Sequence, residues 1–376
     1  MRRSRNASTP SPASSGPDGA DTPRVAVLHE WMAPVGGSEQ VARAILSTFP
    51  GSHLWTIAGG DAEEPGTIVR SPLWGRRLRA TADRRVLVTV ANVAWRHGSF
   101  RPQDYDLVIS SHHAQAHTAA TGEVPHISYV HSPARYAWLP GVDERANSLL
   151  GRTIARRIRR ADLLAAATVD DYAANSATTA ERIRSLWGRD ARVIHPPVAL
   201  DSWPPRHEPA PDGYLLSVSR FIGYKRLDLT IELADRLGIP AVLAGSGPDE
   251  ARLRERAAET SVPVSVRGHV SHGEMVELLH GARALVFPGI EDFGLVPVEA
   301  MACGVPVVAY SEGGATETVQ PGVGGVLVAS YDPEEWGAAV DTARWFDPAT
   351  VRASVERFDI AAFRRRIAGW AGEWLG

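Results

Sequence analysis

The sequence predicts an α/β protein made of two parallel-sheet domains, and three observations support this prediction. Short apolar runs typical of buried strands alternate with Gly-rich turns and helical patterns along most of the chain. The chain has 376 residues, which is enough for two domains. A Pro-rich stretch at 202–212 separates two series of such units, so we expect a linker there.

Composition narrows the class of protein. The net charge of -3 gives no electrostatic case for nucleic-acid binding. The single cysteine, Cys303, excludes a disulfide framework and favours a reducing compartment. No segment has the roughly 18 consecutive apolar residues that a membrane span needs. Residues 1–23 are rich in Ser, Pro, Ala and Gly without the apolar core of a signal peptide, so we predict a disordered tail and a cytoplasmic protein.

The most informative stretch is 284–309, whose pattern predicts a buried strand, a helix and a second strand. Two carboxylates, Glu291 and Glu299, flank the start of this helix, and Gly294 lets backbone approach a ligand closely. A helix N-terminus carries free N–H groups and favours an anion. We therefore predict a ligand site here, with a solvated pair of glutamates on an ordinary unit as the alternative.

Two cations follow the apolar strand predicted at 214–219. Lys225 is the only lysine of the sequence, in which the other basic residues are arginines. A lysine retained in a sequence that otherwise uses arginine suggests a position that needs a compact point charge rather than a planar guanidinium. Together with Arg220 it suits a diphosphate at the end of a strand, and a structural ion pair is the alternative.

Histidines follow the first-domain strands, at the edge where ligands bind in open α/β sheets. His131 directly ends the apolar run 126–130 and is the sharpest candidate, although a capping histidine is an equal alternative. We interpret His112 and His113 as polar loop residues. Zinc is not expected, because no acidic or cysteine partner lies at ligand spacing along the chain.

Three glycine or carboxylate motifs give weaker signals. Gly36-Gly37 lies between a predicted strand and helix, an arrangement that can cradle phosphate, although plain turns are commoner. Gly245-Ser246-Gly247 resembles a dinucleotide fingerprint only superficially, since Glu250 replaces the third glycine. Asp104-Tyr105-Asp106 matches the Asp-x-Asp pattern of metal-dependent sugar transfer but precedes its strand, so we reject it.

Two arginine-rich runs suggest a surface contact. One covers 76–85, and the other lies on a predicted helix at 149–167 with interleaved Leu and Ile. Basic helices of this kind can rest on anionic membranes, but a solvated face is the commoner meaning.

Residues 24–376 resemble the family 4 retaining glycosyltransferases of the GT-B fold. The resemblance rests on motifs in a fixed order: Gly36-Gly37-Ser38-Glu39, His131, Arg220 with Lys225, Gly245-Ser246-Gly247, Arg267-Gly268, Glu291 with Glu299, and Gly313-Gly314. The segments His29-Glu30-Trp31 and 129–138 are similar to the O-antigen-type mannosyltransferases that use GDP-mannose.

The resemblance implies two Rossmann-like domains facing a cleft, with a C-terminal helix that crosses back to the N-terminal domain. On this sequence the acceptor-side domain covers 24–200, and the nucleotide-sugar-binding domain covers 201–355. The returning helix covers 356–376.

The resemblance also implies roles for individual residues. His131 approaches the sugar near the reacting carbon, Glu291 holds hydroxyls of the donor sugar, and Arg220 and Lys225 hold the diphosphate. Glu299 binds the ribose. The donor-binding residues are Gly36, Gly37, Gly245, Gly268, Val270, Phe293, Gly294, Leu295 and Glu299. No metal and no cofactor besides the nucleotide-sugar donor are expected.

The implied activity is retaining transfer of a hexosyl group, with mannose from GDP-mannose favoured, to a hydroxyl of a glycan, lipid-linked or small-molecule acceptor. In such enzymes the leaving phosphate itself is thought to help deprotonate the acceptor. A UDP- or dTDP-sugar donor is the alternative, and a GT-B epimerase or phosphorylase is less favoured. A non-catalytic nucleotide-sugar binder would normally have lost Glu291, Arg220 or Lys225. Expected partners are donor and acceptor, with no nucleic acid and with peripheral contact to anionic membrane as a further prediction.

Overall fold

The chain forms two separate parallel sheets. The computed structural model describes residues 22–32, 36–59, 68–70, 95, 100–138 and 149–376. The first sheet has the strand order β3-β2-β1-β4-β5-β6-β7. Its strands are β1 (Val25–Met32), β2 (His53–Gly59), β3 (Ile68–Arg70), β4 (Leu107–His112), β5 (His126–Val130), β6 (Asp171–Ala174) and β7 (Arg192–Val193).

The second sheet repeats this design in the C-terminal half, with the strand order β10-β9-β8-β11-β12-β13 and parallel pairing throughout. Its strands are β8 (Tyr214–Val218), β9 (Ala241–Ala244), β10 (Val264–Arg267), β11 (Ala282–Phe287), β12 (Val307–Tyr310) and β13 (Gly325–Val328). The two strand orders both follow the doubly wound 3-2-1-4-5-6 scheme, so the predicted α/β fold of two Rossmann-like domains is confirmed.

Helices cover the faces of both sheets. In the first domain they are α1 (Gly37–Thr48), α2 (Arg135–Trp138), α3 (Leu149–Ala166) and α4 (Ala177–Trp187). In the second they are α5 (Leu227–Leu237), α6 (Glu250–Ala258), α7 (His272–His280), α8 (Leu295–Ala302), α9 (Ala315–Thr318), α10 (Pro333–Ala343) and α11 (Pro348–Ala353). Among the described residues, no helix combines the length and apolar character that crossing a membrane requires.

The last helix, α12 (Ile360–Gly372), crosses back to the first domain. Its apolar residues Phe363, Ile367 and Trp370 are buried in the same core as β1 and α1. The Trp370 indole N–H donates to Asp171 of β6 over 2.8 Å. The C-terminal end of the chain thus packs on the N-terminal domain, as the resemblance implied.

Two expectations about helices need correction. The sequence pattern from Asp332 onward predicts a helix through to Trp374, but the structure divides this segment into α10, α11 and α12, with a 3-10 turn at Glu356–Phe358. The apolar spacing within 284–309 predicts a helix that starts at Phe293 and places Glu299 about two turns in, but α8 begins at Leu295. Glu299 therefore lies little more than one turn into the helix instead of two.

Candidate active site

The strand orders place the switch point of the first domain between β1 and β4 and that of the second between β8 and β11. In doubly wound sheets, ligands bind in the crevice at the carboxyl ends of the strands beside this point. The segments that follow those strands carry the histidines, Lys225 and Glu291. The two glycine-rich loops face each other, since a Cβ added to Gly37 would lie 2.5 Å from Leu295 Cδ1 of the other domain.

The cation and the carboxylate predicted for the donor site form an ion pair. Lys225 Nζ contacts Glu291 Oε1, and the Lys225 side chain is 1% exposed while that of Glu291 is 27% exposed. Burial lowers the pKa of Lys225, and the Glu291 carboxylate opposes that shift. Arg220 is exposed beside them and donates to the Tyr224 hydroxyl over 3.1 Å. A diphosphate entering here would meet two cations within one loop.

Glu299 is half-buried on α8, and its carboxylate has no hydrogen-bond or ion-pair partner in the part of the chain that the structure describes. Burial raises the pKa of this carboxyl to about 7. A half-buried carboxylate that protein groups leave unpaired can accept hydrogen bonds from a pair of donor hydroxyls.

The loop before α8 is shaped by glycines. Gly294 caps the helix with φ +87, a conformation that disfavours side chains. Gly313 and Gly314 pack on the same loop, where a Cβ on Gly314 would lie 2.2 Å from Phe293 Cα. The Gly314 N–H donates to the Glu291 carbonyl over 2.8 Å. These contacts hold the backbone of the loop at the position from which Glu291 reaches Lys225.

The N-terminus of α1 is more complex than the Gly36-Gly37 motif indicated. Glu39 folds back on it, so that a Cβ on Gly36 would lie 2.1 Å from Glu39 Oε2. Glu39 is 4% exposed and accepts from the Ser38 hydroxyl over 2.7 Å. A carboxylate therefore already lies where the sequence predicted an anion site, and a phosphate would have to approach beside it.

Among the predicted donor-binding residues, Gly245 and Val270 lie where packing of the second domain accounts for them. Gly245 has φ +144, and a Cβ there would lie 1.8 Å from the Ser219 carbonyl oxygen, so only glycine lets β9 close on β8. Val270 packs partly against the second-domain core. Space beside Gly268 is open, since a Cβ would meet nothing within 4 Å. The donor-binding roles of these residues stay predictions.

His131 is linked to a neighbouring strand. Its Nε2 lies 2.9 Å from the Ser111 hydroxyl, which is 3.1 Å from His29 Nδ1. Burial and the nearby imidazoles of His113 and His29 keep the pKa of His131 well below its ordinary value. The ring is therefore neutral near pH 7, and Ser111 fixes its orientation.

The interpretation of His112 as a loop residue needs correction, whereas His113 does lie in the loop that follows β4. His112 is the buried last residue of β4, and burial lowers its pKa to about 3. His113 Nδ1 lies 2.9 Å from Glu30 Oε2, although Glu30 comes from β1. Spacing along the chain does not reveal this acidic partner, because Glu30 and His113 come together only through the pairing of β1 with β4.

His29, Glu30 and His113 bring three potential ligand atoms within 4.8 Å of one another. The Glu30 carboxylate is already engaged, however. Its Oε1 accepts the backbone N–H groups of residues 113–116 at 2.8–3.2 Å, while Oε2 faces His113. The arrangement therefore describes a histidine–carboxylate pair anchored on a loop, with His29 hydrogen-bonded to Ser111 beside it.

Sequence reasoning missed the ion cluster that joins the domains. Asp292 contacts Arg135 of α2 and Arg182 of α4, and its side chain is 8% exposed. Burial alone would raise the pKa of Asp292, but the two guanidinium groups outweigh it and hold this pKa below its ordinary value. Arg135 is also close enough to influence Lys225 and to be influenced by Glu291. The cluster thus brings the segment after His131 to the donor loop.

A second link between the domains lies nearby. The Glu317 carboxylate accepts from the backbone N–H of Ala177, at the start of α4, at 2.8–2.9 Å. It also lies 3.0 Å from His195 Nε2. The His195 ring packs against Phe293, which follows Asp292. Of the residues in these two links between the domains, only Arg135 lies within a motif that the sequence singled out, the segment 129–138.

Two predicted features stand apart from the site. Asp104-Tyr105-Asp106 lies before β4, where Asp106 accepts from the Arg24 N–H over 2.7 Å. The motif therefore lies at the edge of the sheet opposite to His131, which is the position on which its rejection as a sugar-transfer motif was based. The arginine run at 76–85 and nearly all of the predicted tail at 1–23 lie outside the described residues.

Two doubly wound domains with facing switch points and a returning C-terminal helix define the GT-B class. Comparison with known families agrees: residues 35–202 match Glycosyltransferase Family 4, and residues 203–344 match Glycosyl transferases group 1. The chain thus has the GT-B fold, with an N-terminal half similar to family 4 glycosyltransferases and a C-terminal half similar to group 1 glycosyl transferases.

Curated relatives are about one third identical to this chain over the residues that align. D-inositol 3-phosphate glycosyltransferase 1 of Catenulispora acidiphila is 32% identical over 67% of this chain and 66% of that protein. The Mycobacterium tuberculosis D-inositol 3-phosphate glycosyltransferase is 32% identical over 46% of this chain and 40% of its own length. The chain thus spans less than two thirds of these relatives. Their names refer to inositol phosphate, so the similarity to O-antigen mannosyltransferases stays a prediction.

Solved structures confirm the fold at low sequence identity. Anabaena HepE in complex with UDP has a TM-score of 0.66 at 18% identity, covering 93% of this chain and 100% of that chain. Sucrose-phosphate synthase from Thermosynechococcus elongatus has a TM-score of 0.69 at 18% identity, covering 93% and 98%. At these identities the likeness concerns the architecture alone.

Proposed function

We propose that this chain transfers a hexosyl group from a nucleotide sugar to a hydroxyl of an acceptor. The observation that carries the proposal is the buried Lys225–Glu291 pair beside Arg220, in the loops that flank the second switch point. A lysine in this position offers a point charge to a phosphate, and a partly exposed carboxylate offers an acceptor to sugar hydroxyls.

The charges near this pair suit a diphosphate leaving group. The cations Arg135, Arg182, Arg220 and Lys225 face two paired carboxylates, Glu291 and Asp292. The surplus of positive charge would stabilise the negative charge that develops on the diphosphate as the bond to the sugar breaks. The free N–H groups at the start of α8 add to this field. We propose that this stabilisation works without a divalent ion and that transfer retains the anomeric configuration.

The candidate donors are GDP-mannose and, as alternatives, a UDP- or dTDP-sugar. The motifs at His29-Glu30-Trp31 and 129–138 favour GDP-mannose. Anabaena HepE, which has the same fold, has been solved in complex with UDP and with UDP-glucose, and this likeness favours a uridine nucleotide. In either case we propose that Glu299 holds the ribose, because its half-buried carboxylate lacks another partner among the described residues.

A thermal-shift panel followed by a transfer assay tests the proposal. UDP, GDP, dTDP and their hexose conjugates should be compared, because a bound nucleotide raises the melting temperature by mass action. The stabilising donor is then incubated with D-inositol 3-phosphate, the acceptor named in the curated relatives. Stabilisation by one nucleotide and release of its diphosphate are expected. A chain that no nucleotide stabilises would refute the proposal.

We also propose that α3 rests on an anionic membrane surface. Its outward stripe combines exposed Leu163 and Leu164, at 48% and 52%, with arginines at helical spacing. These exposed arginines are Arg152, Arg156, Arg157 and Arg160. Binding to phosphatidylglycerol vesicles should weaken steeply with salt and should fall in a Leu163→Ser, Leu164→Ser variant. Equal binding to phosphatidylcholine vesicles, or none to either, would leave α3 a solvated face.

A further inference from the structure

The residue that follows Lys225 is held in a strained backbone conformation. Arg226 has φ 53 and ψ 35, in the left-handed region, and no other non-glycine residue within the described ranges has a positive φ. A side chain in this region costs free energy that glycine avoids. Such strain persists only where surrounding contacts stabilise it, and it is commonest at functional sites. An arginine at this position is explained only if its side chain makes contacts that glycine lacks.

The Arg226 side chain lies over an aromatic ring. Its guanidinium carbon is 4.1 Å from the centroid of Tyr331, and Tyr331 in turn stacks on Tyr310 with ring centroids 4.3 Å apart. A planar guanidinium stacks favourably on such a ring. The side chain does not cap α5, which begins at the next residue. Its ion pair with Asp228, at 3.9 Å between Nε and Oδ2, is partly exposed and contributes little.

Tyr331 also reaches the loop that carries Glu291. Its hydroxyl donates to the carbonyl of Pro288 over 3.2 Å, and burial raises the pKa of Tyr331, so that this hydroxyl keeps its proton. The next residue, Gly289, packs directly on Lys225. A Cβ added to Gly289 would lie 3.0 Å from Lys225 Cα and 3.2 Å from the Lys225 carbonyl oxygen. One tyrosine thus contacts both segments that bring the Lys225–Glu291 pair together.

These two segments leave the sheet on either side of the second switch point. One follows β8 and the other follows β11, while Tyr331 follows β13. Lys225 ends a 3-10 turn of three residues, Gly223–Lys225. Such a short turn has few hydrogen bonds of its own, so the contacts around it decide where the Lys225 side chain lies.

We propose that Arg226 and Tyr331 are positioning residues of the donor site. Their stack holds Lys225 against the loop of Glu291, in the geometry that a diphosphate requires. The inference rests on the proposed function, because it takes Lys225 as a cation for the diphosphate. A misplacement of about 1 Å in such a group can cost roughly 10²-fold in rate. A strained arginine is therefore retained where glycine would fit the backbone more easily.

Arg226→Gly separates positioning from stability. It relieves the strained backbone and removes the stack, and these opposing effects should leave the melting temperature within about 4 °C of the wild type. The kcat/KM for release of nucleoside diphosphate from the stabilising donor should nevertheless fall about 10–100-fold. Arg226→Ala should lose as much activity and also melt lower, because the strain remains. Arg226→Lys keeps a cation over the ring and should recover part of the activity.

Variants of Tyr331 divide the two contacts of its side chain. Tyr331→Phe keeps the stacked ring but loses the hydrogen bond to Pro288, so kcat/KM should fall about 2–10-fold. Tyr331→Leu removes both contacts and should match Arg226→Gly. Asp228→Asn is the matched control, since it removes the nearby charge without disturbing the stack, and it should retain full activity.

A double-mutant cycle shows whether Arg226 acts through Lys225. The affinity for the free nucleoside diphosphate, measured by titration calorimetry, should weaken about 5–10-fold in Arg226→Gly. In a Lys225→Met background the same substitution should weaken it less than about twofold, because the group to be positioned is gone. A role confined to folding predicts independent losses that multiply.

Four results would overturn the inference while the wild type is active. They are more than about half of wild-type kcat/KM in Arg226→Gly, affinity losses that multiply in the double variant, no recovery in Arg226→Lys, and a loss in Asp228→Asn equal to that in Arg226→Gly. The last would assign the effect to the ion pair. A wild type that no nucleotide stabilises and that cleaves no nucleotide sugar would instead refute the proposed function, and the inference with it.

Discussion

The Lys225–Glu291 pair should respond asymmetrically when either partner is removed. Lys225 is 1% exposed and Glu291 is 27% exposed, so Glu291→Gln leaves a buried ammonium without a counter-charge, whereas Lys225→Met leaves a carboxylate that water can reach. Breaking a fully buried pair costs about 3–5 kcal/mol. The lowered pKa of Lys225 lets it shed its proton, which limits the loss of unfolding free energy in Glu291→Gln to about 1–3 kcal/mol.

Lys225→Met should cost less than about 1 kcal/mol of unfolding free energy, because the remaining charge is hydrated. The double variant should be more stable than Glu291→Gln alone, since no buried charge remains. Differential scanning fluorimetry without nucleotide measures the series, at about 2–4 °C per kcal/mol for domains of this size. Equal melting temperatures for the two single variants would refute the reasoning from exposure.

Activity should separate from stability in the same variants. All should lose most of kcat/KM, because the proposed diphosphate and sugar contacts are gone, and Lys225→Arg should recover only part, since a guanidinium is bulkier than an ammonium. Glu291→Gln should act mainly on kcat. Near-full activity of Lys225→Met with saturating donor would contradict the assignment of Lys225 to the diphosphate.

Three further predictions follow from the site. The pKa of Glu299, about 7, lies above its ordinary value of 4.5, so the contribution of this carboxyl to stability is present below pH 4.5 and is lost as the pH rises to 7. Glu299→Gln should remove about 3 kcal/mol of this pH dependence of the unfolding free energy, measured by denaturation at several pH values, and should raise the donor KM. An unchanged donor KM would exclude the ribose contact. Asp292→Asn should lower the unfolding free energy by about 2 kcal/mol and increase the radius of gyration by X-ray scattering, because Arg135 and Arg182 lose their shared partner; an unchanged radius would contradict a role in holding the domains. Activity should survive excess EDTA, and loss of activity that Mg²⁺ restores would contradict metal-independent transfer.

The fold could be predicted from the sequence because each strand, turn and helix is formed by a contiguous stretch of the chain. Apolar runs bounded by Gly-rich turns predict most of the described strands. The N-cap preference of serine likewise predicts helix starts at Ser176 and Ser271, and both side chains cap their helices. The exact start of α8 was not accessible, since Phe293 is apolar and continues the helical spacing. It instead packs on His195 and Phe358 before the helix begins.

The contacts between the site residues could not be predicted from the sequence, because they depend on the order of the strands in the sheet. Glu30 reaches His113 only because β1 and β4 are neighbours at the switch point. Their spacing along the chain gives no sign of this contact. Asp292 similarly finds Arg135 and Arg182 across the cleft, in another domain. Sequence reasoning therefore identified residues of suitable chemistry but paired none of them.

The loop from Glu291 to Gly294 joins the two halves of the site within four residues. Glu291 faces Lys225 and Asp292 faces the arginines of the other domain. Phe293 anchors the backbone against His195, and Gly294 starts the helix. Because consecutive residues carry the proposed sugar contact and the domain contact, a shift of one domain against the other must move Glu291. Under the proposed function, domain orientation and donor binding are therefore coupled through this loop, so Asp292→Asn should also weaken donor affinity.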